Sequence, residues 1–202
     1  MEIERKGELG EITLAQTQYI QDLLHRHQVD ETKYQTVVGE LMWLALTTRQ
    51  DILHSVAKLA QRNKEPHSEH LAGVKHVMRY LASTLEYKLH YKKTGQAFAG
   101  YVDADWGDDR LDRKSYTGYV FFLAGGPTSW KSEKQHSVAL SSTEAEYMAL
   151  STACKEAVAM RRLIIELGCG DAETPTIVFG DNLSAQQLAK NPVHHARTKH
   201  IY

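Results

Sequence analysis

The feature that most constrains the fold is a change of hydrophobic period near Tyr91. Before it, Leu71, Val74, Met78, Leu81 and Leu85 recur at a 3-4-3-4 spacing, which only a helix gathers into one face. After the polar break Lys92-Lys93-Thr94-Gly95, short strand-like runs take over at Phe98–Asp103, Gly118–Leu123 and, more weakly, Pro127–Ser132. Gly125-Gly126 between the last two is a hairpin signal. A helix is expected from Ser142 to Leu167, with Ala145, Ala149, Ala153 and Ile164 along one side and Gly168 and Gly170 to end it. A strand at Pro175–Gly180 and a helix at Asn182–Lys190 complete a mixed α/β layout.

The first ninety residues read as helical throughout. Leu14, Ile20, Leu23 and Leu24 suggest one segment and Val37 to Ala45 a second. Ile52, Val56 and Leu59 form a third, with Asp51 as its expected N-cap. Two domains are expected on this basis, a helical 1–91 and an α/β 92–202.

Composition narrows the class. The 202 residues are 42% hydrophobic and 24% charged, which is ordinary globular usage. No apolar run approaches the ~18 residues of a membrane span, and Met1-Glu-Ile-Glu-Arg-Lys has no secretory h-region. Only Cys154 and Cys169 occur, so a disulfide scaffold or Cys-based zinc site is disfavoured. Lys plus Arg total 24 against 25 for Asp plus Glu, so any nucleic-acid contact must use a local patch. Of the eleven histidines, seven lie scattered before residue 91 with no zinc-ligand set around them.

Three carboxylates occupy the edges of the expected elements. Asp103 ends the first strand in Tyr101-Val-Asp-Ala-Asp-Trp106, and Glu146 lies in the first turns of the long helix in Ser142-Thr-Glu-Ala-Glu-Tyr147. Asp181 follows the later strand in Val178-Phe-Gly-Asp-Asn182. Strand ends are where α/β sheets bind ligands, and oxygen donors suit hard divalent cations. Each residue also has a purely structural reading. Asp103 opens an acidic run that a solvated loop would explain, although Asp108 and Lys114 at the sixth and twelfth positions exclude a calcium loop. Glu146 would close a capping box on Thr143, Glu144 one on Ser141, and Asp181 would cap the helix after it.

Beyond spacing, residues 98–200 resemble the ribonuclease H domain of copia-type LTR retrotransposon polyproteins. The matching strings are YVDADW (101–106), DRKSYTGYVFFL (112–123), WKSEKQHSVALSSTEAEYMAL (130–150), GDNLSA (180–185) and NPVHHARTKHI (191–201). Upstream, VGELMWLALTTRQDI (38–52) and VKHVMRYLASTLEYKLHY (74–91) resemble the segment joining that domain to the reverse transcriptase.

The resemblance implies a ribonuclease H-like mixed sheet with flanking helices, preceded by a mainly helical connection segment. It implies Asp103, Glu146 and Asp181 as catalytic ligands of two Mg²⁺ or Mn²⁺ ions that direct water at the RNA strand of an RNA–DNA hybrid. The order Asp, Glu, Asp disfavours an integrase, and Asp105 is not expected to be a ligand. Arg113, Lys114, Lys131 and Lys134 are the candidate phosphate contacts, each equally readable as a solubilising surface charge. The reverse transcriptase core of the same polyprotein is the expected partner, in the cytoplasm or a virus-like particle and away from membranes.

Departures from the family pattern qualify the expected activity. Arg49-Gln-Asp-Ile52 stands where the family has Arg-Pro-Asp-Ile, and the spacer that the family carries between the positions of Asp30 and Tyr34 is deleted. The family's fifth strand, and the helix with its fourth aspartate, have no counterpart before Tyr202. Weak or absent cleavage by this chain is therefore expected. The alternative is an inactive retroelement remnant that folds, or binds nucleic acid, without cutting.

Overall fold

The computed structural model describes residues 1–7, 10–27, 33–109, 111–170 and 173–190. The expectations resting on Asp30 and on 191–201 lie outside the described residues. Two compact units emerge: Met1–Thr94 with Ala124–Gly126, and Gly95–Leu123 with the described residues from Pro127 on.

The first unit corrects the all-helical reading of its sequence. Strands β1 (Glu2–Lys6) and β2 (Glu11–Ala15) form an antiparallel hairpin from Glu2↔Ala15 to Lys6↔Glu11. Strand β3 (Leu89–Tyr91) adds to β2 with Ile12 opposite Tyr91. Leu14 therefore belongs to a strand, its alternation with Thr13 and Ala15 being β-like. Gly7 and Gly10 supply the positive φ angles of 74° and 69° at the turn.

Helices α1 (Thr17–Arg26), α2 (Tyr34–Thr47), α3 (Leu53–Ala60) and α4 (Ser68–Ser83) make up the rest of this unit. Their core includes Ile20, Leu23, Val37, Leu41, Leu44, Val56, Val74 and Leu81, each at most 1% exposed. Asp51 does not cap α3. It sits inside a 3₁₀ turn, Gln50–Ile52, and its carboxylate accepts from Arg49 instead.

The second unit holds a mixed sheet of β4 (Ala99–Ala104), β5 (Tyr116–Leu123), β6 (Gly126–Lys134) and β7 (Ile177–Phe179) in the order β6-β5-β4-β7. β4 runs antiparallel to β5 and parallel to β7. The β5–β6 turn places Ala124 and Gly125 at φ 53° and 75°, as a primed hairpin turn demands.

Helix α5 (Ser142–Glu166) lies against β4 and β5, and α6 (Leu183–Lys190) packs beside α5. Ala149, Ala153 and Ala157, four residues apart, meet Val102 and the fully buried Phe121 in the core. Small side chains let the helix axis approach the sheet closely. Gly100 makes room within the sheet for the ring of Phe121 opposite it, since a Cβ there would stand 2.2 Å from that ring. On the exposed strand face, Tyr101 stacks on Phe179 with ring centroids 5.0 Å apart.

Candidate metal centre

Register brings the two aspartates together. β4 and β7 pair in parallel through Ala99↔Ile177, Gly100↔Val178 and Tyr101↔Phe179. Asp103 and Asp181 each stand two residues past the last of these pairs, at one level and at the C-terminal end of both strands. Glu146 reaches the same place from the second turn of α5. The three residues can each present a carboxylate oxygen within 4.8 Å of the others.

Neighbours take the structural roles that the sequence also offers these side chains. The Glu144 N–H donates to Ser141 Oγ at 3.2 Å, and Glu144 Oε2 accepts from the Leu140 N–H at 2.7 Å. The α5 cap is thus made by Ser141 and Glu144, leaving Glu146 to the cluster. Asn182 Oδ1 accepts the Ala185 N–H at 2.9 Å, so Asn182 caps α6 and leaves Asp181 to the cluster. Asp105 closes the strand pair: its Oδ1 accepts the Tyr116 N–H at 2.7 Å while its own N–H donates to Tyr116 O at 3.2 Å.

Electrostatics follow from the crowding. Glu146 is buried, at 8% exposure, between two exposed aspartates. Burial first, then the Asp103 charge, push its carboxyl up to about 7, against a hydrogen bond from the Ala104 backbone; Asp181 adds to the rise. Two unit charges ~5 Å apart repel by roughly 3 kcal/mol at an effective dielectric of about 20. No ion pair among the described residues relieves that repulsion. A cluster of hard oxygen donors whose crowding favours a proton on Glu146 fits a divalent cation such as Mg²⁺ or Mn²⁺.

The candidate phosphate contacts lie apart in role. Lys134 is pinned between Asp109 at 2.6 Å and Asp112 at 2.8 Å, and so ties the β4–β5 loop to β6. Lys131 pairs with Glu133 at 2.7 Å. Arg113 is exposed, at φ 57°, with its guanidinium close over Gly107, while Lys114 lies beside it on the same loop. Trp106 Nε1 donates to Ala139 O at 3.2 Å, joining that loop to the segment before α5. The sequence carries no signal for this latch, or for buried Gln135, which links β5 to α5.

Comparisons with known proteins place the chain. It is 42% identical over 168 residues to the retrovirus-related Pol polyprotein from transposon TNT 1-94 of Nicotiana tabacum, covering 83% of this chain and 12% of that protein. It is 40% identical over 173 residues to the corresponding polyprotein from transposon RE1 of Arabidopsis thaliana, again 12% of that protein. A secreted RxLR effector protein 161 of Plasmopara viticola is 48% identical over 126 residues, 62% of this chain and 89% of that protein. The chain thus spans about an eighth of the length of the polyproteins it matches. No family model and no solved structure matches it. The chain belongs to the retrovirus-related Pol polyproteins of copia-type retrotransposons. Among the described residues, no helix is long and apolar enough to cross a membrane.

Proposed function

We propose that residues 92–202 are a ribonuclease H-like domain that hydrolyses the RNA strand of RNA–DNA hybrids during reverse transcription, and that residues 1–91 connect it to a polymerase core. The carrying observation is the cluster of Asp103, Glu146 and Asp181 within 4.8 Å at the ends of parallel strands. The Pol polyprotein relatives support the same reading.

In it, Asp103 and Asp181 offer solvent-facing oxygens to a divalent ion, and buried Glu146 completes the set from the helix side. Bound Mg²⁺ or Mn²⁺ would supply the Lewis acidity that activates a water and stabilises the leaving oxygen of a phosphodiester. Loss of the proton from Glu146 would make room for the cation. Arg113 and Lys114, on the loop after Asp105, are the side chains best placed to meet the substrate backbone, since Lys131 and Lys134 are engaged in ion pairs.

A second reading, a retained domain that binds nucleic acid without cutting, draws support from the Plasmopara viticola relative. There the matching region makes up 89% of a protein named as a secreted effector. A cleavage assay separates the two. The first reading expects Mg²⁺- or Mn²⁺-dependent cutting of a labelled RNA–DNA hybrid, weak in this chain, with duplex DNA untouched and Asp103→Asn inactive. Hybrid binding without cutting, unchanged by Asp103→Asn, would favour the second.

A further inference from the structure

We infer that Gln135 is a positioning residue of the metal centre, clamping the helix turn that carries Glu146 to the strand pair that carries Asp103. The inference rests on the metal-centre reading above. Gln135 follows β6 and is buried, at 7% exposure. Its Nε2 donates to Thr117 Oγ1 at 3.1 Å and to the Ala145 carbonyl at 2.9 Å. Its backbone N–H donates to Ser115 O at 2.8 Å, so the residue is held as well as holding.

The two acceptors identify what is clamped. Thr117, 2% exposed, lies opposite Ala104 in the β4–β5 ladder, one residue from Asp103. Ala145, fully buried, is joined to Glu146 by one peptide bond. One amide group therefore spans both arms of the site. A direct link between the arms, the Ala104 backbone hydrogen bond to Glu146, lies next to it. A rotation of the first turns of α5 would break the Gln135 bond and displace Glu146 together.

The unused end of the same amide supports the argument. Gln135 Oε1 is buried without a hydrogen-bond partner, and an unpaired buried acceptor opposes folding. Methionine or leucine would fill nearly the same volume without that cost. What a glutamine adds over them is the pair of donated bonds, and those bonds converge on the neighbours of Asp103 and Glu146.

The test uses Mn²⁺ titrated into the full chain and into Gln135→Met, with Asp103→Asn as the control for the centre itself. Circular dichroism fixes a temperature at which each variant is folded. About tenfold weaker Mn²⁺ binding by folded Gln135→Met is expected, the usual scale for groups that support metal ligands. Wild-type affinity in folded Gln135→Met would overturn the inference. If Asp103→Asn binds Mn²⁺ as the wild type does, the metal-centre reading fails first and the inference falls with it. Should Gln135→Met not fold, NMR of the wild-type Gln135 side-chain NH₂ decides. Slow exchange and a shift on adding Mg²⁺ support the clamp, and solvent-like exchange overturns it.

Discussion

Asn182 Oδ1 accepts the Ala185 N–H at 2.9 Å, and the Asn182 carbonyl accepts the Gln186 N–H at 3.1 Å. This one residue starts α6, so the aspartate before it is spared for the cluster. Asn182→Ala should cost about 1 kcal/mol of stability, the usual loss of an N-cap, and should weaken divalent-ion binding by letting Asp181 drift. Urea unfolding and Mn²⁺ titration check both parts. Unchanged metal affinity alongside lost stability would separate the cap from the site.

The raised Glu146 carboxyl makes a pH prediction whose sign is opposite to that of an ordinary salt-bridged acid. With a folded value of about 7 against the ordinary 4.5 of a free glutamate, the folded state binds the extra proton in that window. Stability of the metal-free protein should therefore fall as pH rises from about 4.5 to 7, by up to ~3 kcal/mol. Glu146→Gln should flatten the profile, and saturating Mg²⁺ should reverse its slope. A metal-free profile that rises through this window would contradict the assignment.

Arg49 and Asp51 test the first unit. Arg49, 2% exposed, donates to Asp51 at 2.8 and 3.0 Å, and to Thr84 Oγ1 and O at 2.6 and 3.1 Å. Burial pushes the Asp51 carboxyl up, but hydrogen bonds from Arg49 and Tyr80 outweigh it and hold it below its ordinary value. This contribution is present above the ordinary carboxylate range and lost as pH falls through the lowered value. Asp51→Asn leaves a buried guanidinium without its counter-charge and should cost about 3 kcal/mol. Denaturant melts at neutral pH will show whether the loss is that large. A change under roughly 0.5 kcal/mol would class the pair with exposed ion pairs.

Asp105 offers a contrast within the acidic run. Its carboxylate closes the β4–β5 ladder on Tyr116, so Asp105→Ala should destabilise by about 1–2 kcal/mol while leaving Mn²⁺ affinity close to wild type. A collapse of metal binding in a folded Asp105→Ala would make it a fourth ligand.

Much of the second unit was legible because its signals are local. The Ser142 start of α5, the alternating run through Tyr101-Val-Asp and the strand before Gly180 each follow from a few adjacent residues. The first unit hid its sheet. All five residues of β1 are exposed, so no buried alternation marks them, and β3 contributes only three residues to β2, Leu89 meeting Leu14 and Tyr91 meeting Ile12 across most of the unit's sequence. The Asp51 role was hidden likewise, because Arg49 is also satisfied by Thr84, 35 residues on. The candidate site was visible residue by residue. What local pattern could not supply was the parallel register that levels Asp103 with Asp181, or the clamp at Gln135, since both depend on contacts between distant segments.

Strand β7 has three residues and, among those described, one neighbour in the sheet. Half of the aspartate pair therefore hangs on the shortest described strand of its sheet. Such a segment opens locally at a free energy well below that of global unfolding, and every opening carries Asp181 away from Asp103. A divalent ion bridging the two would act as a rung added beyond Phe179, raising amide protection in β7 and α6 more than in β5. In the absence of metal, the same three residues would exchange first, so the chain would lose its binding geometry before it loses its fold.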